Sequence, residues 1–412
     1  MADGTPAINE DELKARLFGG ANGDRSDLGY GADRDEEDTR ALQGAFGAHY
    51  LQPTTEDLAG TGDDVRRMLM AETCRVVIPM GERGPVVKSV LDTLTGQMPI
   101  HNILVVSDDA DDAALDEVRR HKGVRLVYRN DVLDVLDWGC LLPVLNLTER
   151  PRNKGGKGVA VLAGYLYEYL AARRSGSTPQ VLLQSDAEIS SFANYAYLEH
   201  LGYGLLQHPN ALQVKMAKPG RTNERSMMAR SMLYALAHSP RISEQARKRA
   251  ADLFLGLARH KWMLAGEFAL AWDVAMRRPF ATGYLEETLI AMFCEDLARA
   301  NRRPVVQVAN QNPRLDAPNR EQKEAIMQTQ IGDFLLAMAL EGVPTTDWGL
   351  DQIRQMNAGC MNVPLRMAWI PQDHGPVRAE VIRQNRIWPS VALLDQGGFI
   401  DNAKADQLFK AA

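Results

Sequence analysis

Short apolar runs that alternate with helically spaced segments constrain this chain most. Cys74–Pro79 (CRVVIP), Asn102–Ser107 (NILVVS) and Val124–Tyr128 follow one another about 25 residues apart. Each is short, rich in β-branched residues and bounded by turn or charged residues, as a buried strand is. The first ends at proline and is followed by Gly81-Glu82-Arg83-Gly84 and then by helical spacing over Val86–Leu94. The second runs into the acidic turn Asp108-Asp109-Ala110-Asp111-Asp112 and a helix reaching about Arg120. Successive parallel strands need crossovers of this length, so the pattern predicts an α/β fold with a mainly parallel sheet.

The pattern continues less regularly. A Gly/Lys-rich loop, Asn153-Lys154-Gly155-Gly156-Lys157-Gly158, precedes an amphipathic helix expected over Val159–Arg173. Val181–Gln184 (VLLQ) reads as a fourth strand that ends in Ser185-Asp186-Ala187-Glu188. Another strand is expected within Leu205–Met216, and late ones at Glu267–Asp273 and Val305–Val308 with a helix over Leu285–Ala300 between them. Arg221–Arg259 reads as two helices broken near Ser239-Pro240, residues 319–342 are helical by spacing, and the last 65 or so mix short helices and loops. Residues 43–70 look irregular, with a helical turn or two near Asp64–Met70, and no internal repeat is evident. The expected division is an acidic, partly disordered arm at 1–70, two halves at 71–210 and 211–330, and a helical C-terminal extension at 331–412.

Charge separates the arm from the body. Of 412 residues, 47 are Lys or Arg and 53 Asp or Glu, and residues 1–40 alone hold 11 acids and 5 bases. The remainder is balanced, which argues against a nucleic-acid partner, since sequence-independent binding needs a basic face. No apolar stretch of about 18 residues suggests a membrane span, and MADGTPAINEDELKAR lacks the basic-then-apolar order of a secretory leader. Cys74, Cys140, Cys294 and Cys360 lie far apart with no C-x-x-C pair, so they read as thiols in a reducing cytoplasm.

Three motifs carry chemistry. Asp186 and Glu188 are two apart just after an apolar run, so on extended backbone both carboxylates face one point beyond the strand end. That arrangement suits a hard divalent cation shared with phosphate oxygens, placed where open α/β sheets bind ligands, although such a turn also serves as a solvated one. Lys157 stands at a helix start among glycines, where backbone N–H groups and the helix dipole favour a phosphate. The sequence is no Walker A loop, and a solvated lysine loop fits it equally. Ala265-Gly266-Glu267 is followed by Gly283-Tyr284-Leu285-Glu286-Glu287, whose acids at a helix start would also simply stabilise its dipole.

Taken in order, CRVVIPMGE, NILVVSDDADD, KGGKG, LLQSDAEISSF, LAGEF and GYLEETL resemble retaining glycosyltransferases of the GT-A fold. The resemblance is to the glucosyl-3-phosphoglycerate synthase family, with mannosylglycerate synthases nearby, over about residues 74–330. It implies a Rossmann-like mixed, mainly parallel sheet and a metal-dependent hexosyl transfer. The donor would be a UDP- or GDP-linked sugar, the acceptor small and anionic, such as 3-phosphoglycerate or glycerate, and the cation Mg²⁺ or Mn²⁺. A homodimer is implied by the family alone.

Position by position, the resemblance places the donor at Pro79, Met80, Gly81, Glu82, Asp109, Lys157, Asp186, Ala187, Gly266 and Glu267. It places the metal on Asp186 and Glu188, with Glu standing where the family has the second Asp of its metal motif. Glu287 and Asp186 take the catalytic roles, Glu287 orienting the sugar or acceptor hydroxyl rather than acting as a covalent nucleophile. Lys215, Lys218, Gly220, Arg221 and Thr222 match the acceptor-phosphate region. The family's metal-binding His is absent from QVANQNPRLDAPN, leaving Asp316 as the expected third ligand, with Asn312 or His374 as substitutes; His208 reads as a strand-end residue. Two other classes stay open: a sugar-phosphate nucleotidyltransferase, whose glycine-rich loop after the first strand is replaced here by PMGERGP, and a non-catalytic nucleotide-binding relative.

Overall fold

The computed structural model describes residues 49–411 apart from 72, 82–86, 109, 111, 146–155, 218–232, 234–235, 239–242, 259, 261–265, 282–284 and 313–386. The chain divides into two compact units. The smaller comprises Met1–Tyr50, Lys218–Leu264 and Asn319–Arg383, and the larger Leu51–Ala217, Ala265–Pro318 and Gln384–Ala412.

Elements follow in chain order. The first are β1 (His49–Leu51), α1 (Thr55–Met70), β2 (Cys74–Met80), α2 (Val87–Gln97), β3 (Ile103–Ser107), α3 (Asp112–Arg120) and β4 (Arg125–Tyr128). Then come α4 (Arg129–Leu133), α5 (Trp138–Leu145), α6 (Gly156–Ser175), β5 (Val181–Gln184), α7 (Phe192–Tyr195), α8 (Tyr197–Gln207) and β6 (Gln213–Ala217). In the smaller unit α9 spans Glu244–Ala258. The larger unit resumes with β7 (Phe268–Ala271), α10 (Trp272–Arg277), β8 (Phe280–Ala281), α11 (Leu285–Asn301) and β9 (Val305–Ala309), and closes with β10 (Ile387–Trp388), α12 (Val391–Gln396) and α13 (Asn402–Ala411).

Among the described residues the main sheet has eight strands in the order β1-β9-β6-β7-β5-β2-β3-β4, and β8 pairs separately with β10. β5, β2, β3 and β4 run parallel, with Val77 opposite Gln184 and Met80 opposite Ser107. β6 and β9 are parallel to each other, and β7 lies antiparallel to both of its neighbours, β5 and β6. The C-terminal ends of β2–β6 and β9 therefore share one edge, where β7 instead presents its beginning.

Alternation along the strands builds two cores. Val77, Leu104, Val106, Leu182, Phe268 and Leu270 face α6 and its neighbours, while Val76, Ile78, Ile103, Val105, Leu183 and Ala269 face the other way. Covering both faces is what makes each run continuously apolar. At roughly 25 cal/mol per Å² of apolar area removed from water, such layers supply the main drive for folding.

Three local expectations are corrected. The stretch read as irregular before Met70 holds the sixteen-residue helix α1, started by a capping box in which Thr54 and Asp57 satisfy each other's backbone N–H groups. Helix α6 is buried on nearly all sides rather than amphipathic, with even Glu168 inside. That carboxylate is neutralised by Arg125 at 2.5 Å, and Gly164 lets the helix lie directly against Val77. His208 closes α8 rather than a strand, and the strand sought over Leu205–Met216 starts only at Gln213. The helical reading of residues 319–342 falls outside the described residues.

Candidate functional site

The shared strand edge gathers the polar groups. β5 ends at Gln184, which is held from both faces: Tyr197 Oη donates to its carbonyl at 2.6 Å, and Tyr165 Oη donates to its side-chain oxygen at 3.3 Å. Its amide nitrogen donates to the Gly266 carbonyl at 3.4 Å, tying β5 to the start of β7. Ser185 N–H donates to the Val77 carbonyl at 3.2 Å, so Asp186 leaves the sheet from an anchored main chain. Burial raises the pKa of both phenols, keeping them neutral donors.

Asp186 accepts from Lys157 Nζ at 2.6 Å, and Lys157 also reaches Glu287 Oε1 at 3.0 Å. One ammonium thus bridges β5, the first turn of α6 and the first turn of α11. Burial pulls the Lys157 pKa down, but Asp186 and Glu287 outweigh it and the net shift is upward. Gly266 lies against this pair: a Cβ there would stand 2.8 Å from Asp186 Oδ1 and 2.8 Å from Lys157 Nζ. Only glycine leaves that space to the charges.

The neighbouring acid faces elsewhere. Glu286 accepts from the Ala281 N–H at 2.9 Å and pairs with the fully buried Arg278. The Arg278 guanidinium lies 4.5 Å from the Tyr165 ring centroid and 4.2 Å from that of Phe280. Burial raises the Glu286 pKa, with Arg278 opposing it. Adjacent residues thus divide: Glu286 belongs to the frame, and Glu287 turns to Lys157.

A second cluster lies along the same edge. Pro79 and Met80 are buried at the end of β2, and the Met80 carbonyl accepts from Asp108 N–H at 2.7 Å. Among the described residues, the Asp108 carbonyl lies nearest Gly81, 3.9 Å from where a Cβ would be. Asp108 itself forms an ion pair with the buried Arg129. The sequence marks Asp108 as part of an acidic turn and gives no sign of its pairing with Arg129. The available signal was position, each being the first residue after a strand.

Other expected residues are placed as follows. Ala187 is buried and Glu188 half-buried in the turn after Asp186. Glu267 is buried, and its carbonyl accepts from Met216 N–H at 3.3 Å. Lys215 is buried within β6, opposite Phe268 and Gln307. Asn312 N–H donates to the side chain of Asn310, which in turn donates to the Tyr195 carbonyl. Glu82, Asp109, Lys218, Gly220, Arg221, Thr222, Asp316 and His374 lie outside the described residues.

Two carboxylates converging on one ammonium make a strongly negative point at the strand edge, where a hard divalent ion takes a carboxylate or two from protein while phosphates and water complete its shell. Among the described residues no three His, Cys, Asp or Glu side chains group as a metal cage, so Asp186 and Glu188 would need oxygens from a ligand to hold such an ion.

No protein-family model matches the chain, and neither does any curated protein. Among solved structures it is similar to mannosyl-3-phosphoglycerate synthase from Rubrobacter xylanophilus, at 19% identity and a TM-score of 0.50, over 75% of this chain and 87% of that one. It is also similar to glucosyl-3-phosphoglycerate synthase from Mycobacterium tuberculosis in complex with Mg²⁺ and uridine diphosphate, at 19% identity and a TM-score of 0.49, over 73% and 88% of the two chains. The first likeness establishes the fold, a mixed, mainly parallel sheet of the GT-A type with flanking helices. No helix among the described residues is long and apolar enough to cross a membrane.

Proposed function

We propose that this chain is a metal-dependent glycosyltransferase that moves a hexose from an NDP-sugar to a small anionic acceptor. The observation that carries the reading is the meeting of Asp186 and Glu287 on one cation beside Gly266, at the strand edge where open α/β sheets bind ligands. The fold likeness to a mannosyl-3-phosphoglycerate synthase supports a phosphoglycerate-like acceptor, and the order of the sequence motifs is what suggests retention of configuration. UDP- and GDP-linked hexoses are the donors to try first.

Each residue then has a task. Asp186, with Glu188 two residues on, would hold Mg²⁺ or Mn²⁺, which supplies positive charge to the diphosphate as it departs. Lys157 adds its ammonium beside the same phosphates. Gly266 lets the sugar-bearing end approach the backbone. Glu287 orients a hydroxyl of the sugar or acceptor next to an anomeric carbon with oxocarbenium character. Fixed charge aimed at the leaving group is commonly the largest catalytic contribution in such sites.

The test is turnover of UDP-glucose, GDP-glucose and GDP-mannose with 3-phosphoglycerate or glycerate in Mn²⁺, comparing wild type with Asp186→Ala. Loss of about a hundredfold or more is expected for the variant. Equal rates would remove the metal assignment. Nucleotide-induced thermal stabilisation without transfer to any acceptor would favour a binding protein instead.

A further inference from the structure

Lys157 already holds a carboxylate oxygen that a divalent ion on Asp186 would need. Its Nζ lies 2.6 Å from Asp186 Oδ1 and 3.0 Å from Glu287 Oε1, and both distances are those of direct charge-assisted hydrogen bonds. A Mg²⁺ or Mn²⁺ ion binds a carboxylate oxygen at about 2.0–2.2 Å. An ion on Asp186 would therefore stand within a few ångströms of the ammonium.

The ammonium and the carboxylate are held close together. Nζ and both Asp186 oxygens stand against Gly266, at 2.8, 2.8 and 2.9 Å from where its Cβ would be. Gly158, the next residue, is wedged against the Ala281 carbonyl and Glu286 Cβ, which fixes the stem of Lys157. The side chains of Lys157, Asp186 and Glu287 are 21%, 17% and 8% exposed, so water screens the repulsion only in part.

We infer that Lys157 is a built-in competitor of the divalent metal, so that metal enters this site together with a nucleoside diphosphate and not before it. The diphosphate relieves the conflict, because its oxygens ligate the metal and accept hydrogen bonds from Lys157 at the same time. Lys157 then changes partner, from the two carboxylates to phosphate. This inference rests on the function proposed above and adds an order of binding to it. It makes metal affinity low in the absence of nucleotide without requiring any ligand to be missing from the site.

Mn²⁺ binding to the full chain, followed by electron paramagnetic resonance with and without UDP or GDP, tests this. Without nucleotide, Lys157→Gln is expected to bind Mn²⁺ at least tenfold more tightly than wild type. With nucleotide the advantage should shrink below about threefold or reverse, because the variant has lost a phosphate contact. If wild type binds Mn²⁺ with nucleotide through Asp186, as shown by loss in Asp186→Asn, while Lys157→Gln gains nothing without nucleotide, the competition is overturned and the function stands. If no protein shows Asp186-dependent Mn²⁺ binding under any condition, the function falls and the inference with it. Should Lys157→Gln fail to fold, acetylation of Lys157 in wild type, read by peptide mass spectrometry, decides. Mg²⁺ alone, at a concentration that fills the site, should raise its labelling severalfold; unchanged labelling overturns the inference.

Discussion

The α-carbon of Gly158 packs onto the carbonyl oxygen of Ala281 so closely that any Cβ would fall well inside van der Waals contact with it. Gly158 follows Lys157 in α6, and Ala281 ends β8 five residues before Glu286, so this contact sets the register between the two ends that supply Lys157 and Glu287. Backbone cannot step aside as a side-chain tip can. Gly158→Ala is therefore expected to destabilise the fold by about 3 kcal/mol or more, or to prevent soluble expression, as overpacking at an unyielding site does. Urea denaturation checks it. A variant within about 0.5 kcal/mol of wild type would contradict this packing.

Arg278 and Glu286 should behave as a unit. Removing one member of a buried ion pair leaves the other charged and unpaired, at a cost of about 3–5 kcal/mol. Arg278→Met and Glu286→Gln are each expected to destabilise strongly, while the double variant loses clearly less than the sum. A double-mutant cycle by chemical denaturation measures the coupling, and additivity would deny the pair.

Gly266→Ala separates site from frame. The new Cβ would meet Asp186 Oδ1, Lys157 Nζ and Asp186 Oδ2, all of them side-chain ends that can move. Stability should therefore change by under about 1 kcal/mol, while Asp186-dependent nucleotide and metal binding falls by tenfold or more. Calorimetric titration beside a thermal melt reads both quantities. Unchanged binding would remove Gly266 from the site.

The cysteines should divide by burial. Desolvation pushes the thiols of Cys74 and Cys294 up to about 12, whereas Cys140 is exposed. At pH 8 a thiol reagent should modify Cys140 in the native state, slowed by the hydrogen bond to Asp137 that raises its pKa, and Cys74 and Cys294 only on unfolding, as read by peptide mass spectrometry. The linkage has a definite sign. Between about pH 9 and 12 the unfolded chain loses protons that these buried thiols retain, so their contribution to stability is complete below about 9 and declines as pH rises. Fast native labelling of Cys74 or Cys294 would contradict their burial.

Much of the sheet was legible because doubly covered strands must be apolar on both sides. CRVVIP, NILVVS, VLLQ and VVQV could scarcely be read otherwise, and each lies within one or two residues of its strand. The two-residue strands β8 and β10 carried no signal, since each exists only through pairing with the other. Helix α1 was obscured by Gly60 and Gly62, which lower helix propensity, while its start depends on a side-chain-to-backbone exchange at Thr54 and Asp57. At the site, Lys157, Asp186 and Glu287 stood out by local context, but their meeting joins residues up to 130 apart and no window could show it. The Asp108–Arg129 pair escaped for the same reason. The opposed orientations of Glu286 and Glu287 depend on Arg278 between two aromatic rings, one of them from α6.

The reversed direction of β7 has a consequence for how this scaffold can vary. Along β2–β6 and β9 the chain reaches the binding edge as it exits the sheet, so novelty there accumulates in loops downstream of each strand. Along β7 it arrives on entry, and Gly266, two residues before that strand, abuts Asp186 and Lys157 while the bend after Ala271 lies at the far rim. A side chain added at Gly266 would therefore intrude on that charged pair, whereas grafts at the downstream bend should pass without effect on ligand choice.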